Sequence, residues 1–135
     1  MNYWLVKSEP ETYSWQDFEN KKSDMWNGVR NYQARNYLKA MKNGDQVLFY
    51  HSGKQKAIVG IAMVSREHYP DPTANDERWV VVNLKALKAL KNPVTLEQVK
   101  LEPQLAKIPL LKQSRLSVMP LNESAFDIII TLGTQ

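Results

Sequence analysis

The segment Trp26-Asn-Gly-Val-Arg-Asn-Tyr-Gln-Ala-Arg-Asn36 places two aromatics beside two arginines and three asparagines. Those side chains supply the chemistry for a nucleobase and its backbone. Rings stack on a planar base, amides read its edge, and guanidinium groups neutralise phosphate. The segment also carries structural signals: Asn27-Gly28 is a turn dipeptide, and Asn31 is placed to cap a helix that starts just after it. A turn leading into a helix, rich in planar and cationic groups, marks a ligand site.

Helix geometry separates these residues by role. At roughly 100° per residue, Ala34, Tyr37, Leu38 and Met41 gather on one face, which is expected to be the core side. Arg35, Lys39 and Lys42 form a second stripe, either a solvated face or a phosphate-facing row. Arg30 and Arg35, close to the turn, are the stronger phosphate candidates. Trp26 lies outside any periodic apolar pattern. That favours a stacking surface over the core role usual for tryptophan. Trp4 and Trp79 fall in strand patterns and Trp15 opens a helix, so these three are assigned to packing.

Other chemistries find little support. With no cysteine among 135 residues, disulfides, thiolate metal sites and cysteine nucleophiles are excluded. Neither of the two histidines, His51 and His68, stands in a metal-binding spacing. His51 adjoins Ser52, and Asp45 or Asp71 would complete a Ser/His/Asp hydrolytic triad on paper. Adjacent strand residues point to opposite faces, however, so Ser52 is badly placed to use His51 as its base. There is no phosphate-binding Gly-x-x-x-x-Gly-Lys-Ser/Thr loop. Gly60, inside a strand pattern, marks a sheet bend or a close approach of another group.

The elements that must position the site can be placed along the chain. Tyr3 to Lys7 reads as a strand ended by Pro10, and Ser14 with Asp17 begins a short helix through about Lys21. Asp24 to Gly28 reads as a loop, and a helix is expected from about Tyr32 to Lys42, stopped at Asn43-Gly44. Gln46 to His51 and Ala57 to Ser65 make a hairpin, Tyr69-Pro-Asp-Pro72 an irregular loop, and Trp79 to about Leu90 a long strand. Thr95 and Gln98 form a capping-box pattern, Arg115 to Met119 a late strand, and Asn122 caps a last helix ending at Leu132-Gly133. Residues 1–135 are expected to form a single α+β domain, a small mixed sheet, curved or barrel-like, with helices outside it. The chain has 43% hydrophobic residues and a net charge of +4, with a pI near 9.3 compatible with nucleic-acid contact. No apolar run reaches the ~20 residues of a membrane helix. The expectation is a cytoplasmic monomer that touches no membrane.

Several longer blocks carry a family resemblance. They are Tyr3-Trp-Leu-Val-Lys-Ser-Glu-Pro10, the Trp26–Asn36 segment, Val47-Leu-Phe-Tyr-His-Ser52, Tyr69-Pro-Asp-Pro-Thr73 and Gln113-Ser-Arg-Leu-Ser-Val-Met-Pro120. With them, the whole chain resembles the EVE-domain family of the PUA-like superfamily, akin to the thymocyte nuclear protein family and its small bacterial relatives. The resemblance implies a PUA-like small mixed or antiparallel β-barrel flanked by helices, with no catalytic machinery and no cofactor or metal. It is similar to the YTH domains, which hold a modified base between aromatic walls. The implied function is recognition of a modified base, with modified cytosine in DNA leading and an RNA base also in view.

Carried onto this chain, Trp26 becomes a wall of the pocket, while Lys7, Ser8 and Glu9 read the base edge. Asn27, Asn31, Tyr50, His51 and Ser52 lie near the pocket, and Arg30, Arg35 and Arg115 near phosphates. Glu9 suits the first role, because a carboxylate accepts from an exocyclic amine. Asn27 departs from the Asp common at that position; it keeps the turn and loses a charge, which leaves its part in base selection open. Met63 departs from a common Glu and is expected on the barrel surface. Two other classes stay in view: a nucleotide- or RNA-processing enzyme using Glu9 and His51, and a protein-interaction module using apolar residues such as Leu110-Leu111.

Overall fold

A computed structural model describes residues 1–135. Six strands form one mixed sheet: β1 (Tyr3–Ser8), β2 (Ser23–Met25), β3 (Gln46–His51), β4 (Ala57–Pro70), β5 (Val80–Thr95) and β6 (Val118–Leu121). Their order across the sheet is β2-β5-β4-β3-β1-β6, and only the β1–β3 pair is parallel. The helices are α1 (Trp15–Lys21), α2 (Tyr32–Ala40), α3 (Leu96–Leu101), α4 (Pro109–Lys112) and α5 (Glu123–Thr134).

Local chemistry explains most boundaries. α1 begins at a complete capping box, the Ser14 side chain accepting from Asp17 N–H while the Asp17 carboxylate accepts from Ser14 N–H. Thr95 and Gln98 repeat that arrangement at α3, and Asn31 and Asn122 cap α2 and α5. α2 stops at Ala40, two residues before the expected end, and the chain then turns through Gly44 at φ 91°. Its core face is the expected one, with Ala34, Leu38 and Met41 fully buried.

The fold is α+β, as expected, but the sheet is not closed into a barrel. β4 and β5 are long and carry several register shifts, which bend the sheet around the core. Its two edges are short: β2 pairs only with β5, and β6 pairs only with β1. Trp26 N–H extends the β2–β5 ladder by one bond to Val82, and the Asn27-Gly28 turn, with Gly28 at φ 81°, then leads the chain away. Helix α2 covers the gap, packing against β4, β5 and β6. β2 is itself a correction, because Asp24 and Met25 fall in a stretch expected to be loop. Three residues are too few to show a period of two, and their partners Asn83–Lys85 are sixty positions away. β4 also runs past Ser65 to Pro70, and β5 past Leu90 to Thr95.

Packing accounts for several singled-out residues. Gly60 faces Trp15 so closely that a Cβ there would lie 2.5 Å from the indole, and the ladder shifts register beside it. Both sequence readings of this glycine therefore apply. Leu110 is buried and Leu111 half-buried, so this pair presents no open apolar surface. No helix is long and apolar enough to cross a membrane.

Candidate functional site

The seam between the sheet edges opens into a cavity of about 510 Å³. β1 contributes Lys7 and Ser8, the following turn Glu9, Thr12 and Tyr13, and β2 Asp24 and Met25. The segment from Trp26 to Asn31 forms the far side, and Ser117, just before β6, completes the lining. Of the residues expected at a base pocket, Lys7, Ser8, Glu9, Trp26, Asn27 and Asn31 meet here, and Arg30 joins them.

Trp26 combines the two roles that sequence set against each other. It is 8% exposed and packs edge-on against Phe49 and Phe18, at centroid distances of 5.5 and 6.4 Å, yet it lines the cavity. A ring held on one side by core aromatics offers a fixed wall on the other. Tyr13 meets it edge-on at 6.2 Å, and the Tyr13 hydroxyl donates to Asp24 at 2.7 Å. Burial, reinforced by that carboxylate, pushes the Tyr13 phenol far above its ordinary value, so it remains a neutral donor. Ser8 Oγ donates to Tyr13 O at 2.5 Å, tying β1 to the same turn.

The far wall depends on Asp71, which the sequence marks as a loop residue within a resemblance block but not as part of the pocket. Its buried carboxylate accepts from Gly28 N–H at 3.0 Å, from Arg30 Nη1 at 2.9 Å, and from the N–H and hydroxyl of Thr73. Burial pushes its pKa up, but the bonds from Thr73, Gly28 and Arg30 outweigh this and hold it at about 2. The carboxylate thereby clamps the Asn27–Arg30 turn to the end of β4. The available signal is the Tyr-Pro-Asp-Pro-Thr block, since an Asp side chain in a turn commonly accepts from the backbone N–H two residues on, as it does here from Thr73.

Other expected residues lie elsewhere. His51 does not line the cavity: it is buried, Nε2 accepts from Trp15 N–H at 2.9 Å, and Nδ1 lies 2.7 Å from Gln55 Oε1. Both ring nitrogens are engaged, Nε2 in holding the start of α1 and Nδ1 on Gln55 of the β3–β4 turn. Tyr50 and Ser52 line a separate groove of about 250 Å³ on the other side of Lys7, together with Lys56, Leu96, Leu110 and Ser114. Lys7 divides the two spaces, its Nζ donating to Ser114 O at 2.8 Å and lying 5.8 Å from the Tyr50 ring centre. Burial lowers the Lys7 pKa and raises that of Tyr50. Arg115 lines a third groove, of about 330 Å³, with Asn31, Gln33, Lys112, Gln113 and Ser114.

Arg35 lines none of these spaces. Its guanidinium donates to Asn36 Oδ1 and to Arg78 O and lies over the Tyr32 ring at 5.0 Å. Trp79, assigned to packing from sequence, is half-exposed and stacks against Tyr32 with centroids 5.1 Å apart. Asp45 is a structural anchor, accepting from Trp4 Nε1 and from Lys42 and Asn2 N–H. No group of three or more His, Asp or Glu side chains is arranged to hold a metal ion.

Comparison with known proteins agrees with this architecture. The family model of the EVE domain matches residues 2–132. Thymocyte nuclear protein 1 of Mus musculus is 37% identical, with the match covering 97% of this chain and 73% of that protein. The NMR structure of Rpa0253 from Rhodopseudomonas palustris superposes with a TM-score of 0.94 at 47% identity, covering 98% of this chain and 93% of that one. The crystal structure of human THYN1 protein in complex with 5-methylcytosine containing DNA superposes with a TM-score of 0.93 at 31% identity, covering 100% and 99%. Both family match and superposition run essentially end to end, across the seam and its cavity, and this chain therefore belongs to the EVE-domain family.

Proposed function

We propose that this protein is a non-catalytic reader of modified cytosine in DNA, which takes the base into the seam cavity against Trp26. The observation that carries this reading is a buried indole walling a cavity of about 510 Å³, within the ~300–1,000 Å³ range of ligand pockets. Apolar Met25 and Val29 line the same space and suit a methyl group on the ring. Polar groups at the rim suit its edge. The Glu9 carboxylate and the Asn27 amide take no part in the bonds that organise the site, and Asn31 uses only its oxygen for capping, leaving its NH₂ to donate. Cytosine presents an exocyclic amine for Glu9 and acceptors for an asparagine or Lys7. The human relative held with 5-methylcytosine DNA supports the assignment of ligand class.

A binding role is favoured over turnover because His51, the one candidate base near Glu9 in sequence reasoning, has both ring nitrogens engaged. The test compares affinity for two oligonucleotides that differ only in cytosine or 5-methylcytosine. The wild-type protein is expected to prefer the methylated strand, and Trp26→Ala to weaken that complex by about 1–3 kcal/mol, the range for loss of a base-stacking aromatic. Because Trp26 also supports the core, Glu9→Gln provides a second arm: Glu9 is exposed, so the fold persists while the preference falls. Equal binding of both oligonucleotides by wild type would overturn the reading, and tighter binding of the RNA counterpart would transfer it from DNA to RNA.

A further inference from the structure

The base cavity and the two smaller grooves adjoin one another. Asn31 borders both the cavity and the Arg115 groove, Lys7 borders the cavity and the Tyr50 groove, and Ser114 borders both grooves. Ser114 is exposed and forms the ridge shared by the two grooves, its carbonyl bonded to Lys7 of the cavity lining.

Both grooves bring cations to the border of the base cavity. Lys112 and Arg115 line one and Lys56 and Lys7 the other, and neither lining contains a carboxylate. The Glu9 carboxylate comes close to Gly53 at the edge of the second groove, but it lines the base cavity. None of these four cations forms an ion pair; the three in the molecule are Lys21–Asp24, Arg30–Asp71 and Arg78–Asp76. The cluster around Tyr32 and Trp79 differs on this point: Arg30 lies over Trp79, Arg35 over Tyr32, and Arg78 donates to the Tyr32 hydroxyl. Two of its three guanidinium groups are neutralised by carboxylates, and Arg35 is spent on Asn36 and the Arg78 carbonyl. An anionic backbone gains most where cations have no internal partner.

We infer that the ligand is a polynucleotide strand whose backbone crosses the Ser114 ridge, with phosphates on Lys112 and Arg115 on one side of the inserted nucleotide and on Lys56 on the other. The inference rests on base insertion at the Trp26 cavity and adds the strand path. It makes Lys112 and Lys56 contact residues and leaves the Arg35–Arg78 face outside the interface. It also requires a strand, since a free nucleoside would fill the cavity and leave both grooves empty.

The experiment measures the slope of log affinity against log salt for a short single-stranded oligonucleotide carrying one 5-methylcytosine. Lys56 has φ 48°, so asparagine, which tolerates that conformation, is its neutral replacement. The triple variant Lys56→Asn/Lys112→Ala/Arg115→Ala is expected to flatten the slope by about 2, at ~0.7 per neutralised phosphate, while keeping the preference for the methylated base. A charge-matched control, Lys39→Ala/Lys42→Ala/Arg78→Ala, removes three exposed cations elsewhere and is expected to leave the slope unchanged. Equal flattening by both triples, or none by the first, overturns the strand path and leaves base reading intact. Binding of 5-methylcytidine as tightly as of the oligonucleotide also overturns it. A flattened slope in a protein without methyl preference upholds the path and removes base reading, and no binding of any oligonucleotide by wild type removes both.

Discussion

Single residues show how one side chain serves structure and site together. Trp26 is buried and also lines the cavity; sequence set these readings against each other because burial and ligand contact look exclusive until the seam is seen. His51 illustrates the opposite outcome. Its place in a matching block is real, but the imidazole holds the first N–H of α1, an arrangement set by a residue 36 positions away. Asp71 carries the clearest pH dependence. A carboxylate held at about 2, below its ordinary 3.8, stabilises the fold fully at pH above the higher value. That contribution is lost as pH falls through the lower one. Asp71→Asn is expected to cost about 2 kcal/mol at neutral pH, and the deficit relative to wild type should vanish near the lower value. Denaturant unfolding across that pH range measures it, and a constant deficit at all pH values would show that Asp71 acts only through packing.

At the scale of elements, capping chemistry was legible and strand partnership was not. Ser14 with Asp17 and Thr95 with Gln98 are local signals, complete within four residues, and both helices begin where those signals stand. β2 has no such signal, since Ser23–Met25 is a strand only because β5 runs beside it. Gly60 joins the two cases. Its presence in a strand was visible, but its reason is the Trp15 ring, which packs edge-on against Phe18 and Phe49 while His51 holds the Trp15 backbone N–H. Gly60→Ala forces a Cβ against an indole that cannot retreat, and a loss of about 1–3 kcal/mol is expected in thermal or denaturant unfolding. An unchanged midpoint would mean that Trp15 has room to move.

The whole molecule places its site where the sheet fails to close. β2 and β6 each pair on one side only, α2 bridges the gap, and the cavity occupies what remains. Core aromatics and the cavity wall are thus parts of one continuous cluster of 36 buried residues. Cooperative unfolding is the expected consequence, and it tests the reading of residues 1–135 as one domain. Tryptophan fluorescence and far-ultraviolet circular dichroism should give coincident transitions, and two separated transitions would divide the chain into independent units.

By itself, the amino-acid sequence determined what short-range chemistry can encode: the caps, the buried face of α2, the Asn27-Gly28 turn, and the concentration of aromatic, amide and guanidinium groups around it. Its longer blocks also marked the EVE family across the full chain. Only tertiary structure decided which of those groups meet. Partnership across a sheet and the neutralisation of a cation by a distant carboxylate depend on residues tens of positions apart, which no local pattern records. Arg30 and Arg35 look alike in sequence, yet Asp71 ties one to the cavity wall while the Arg78 carbonyl holds the other away from it. Lys112 and Lys56 carry no signal along the chain, and they gain one only where the fold brings their grooves together at Ser114.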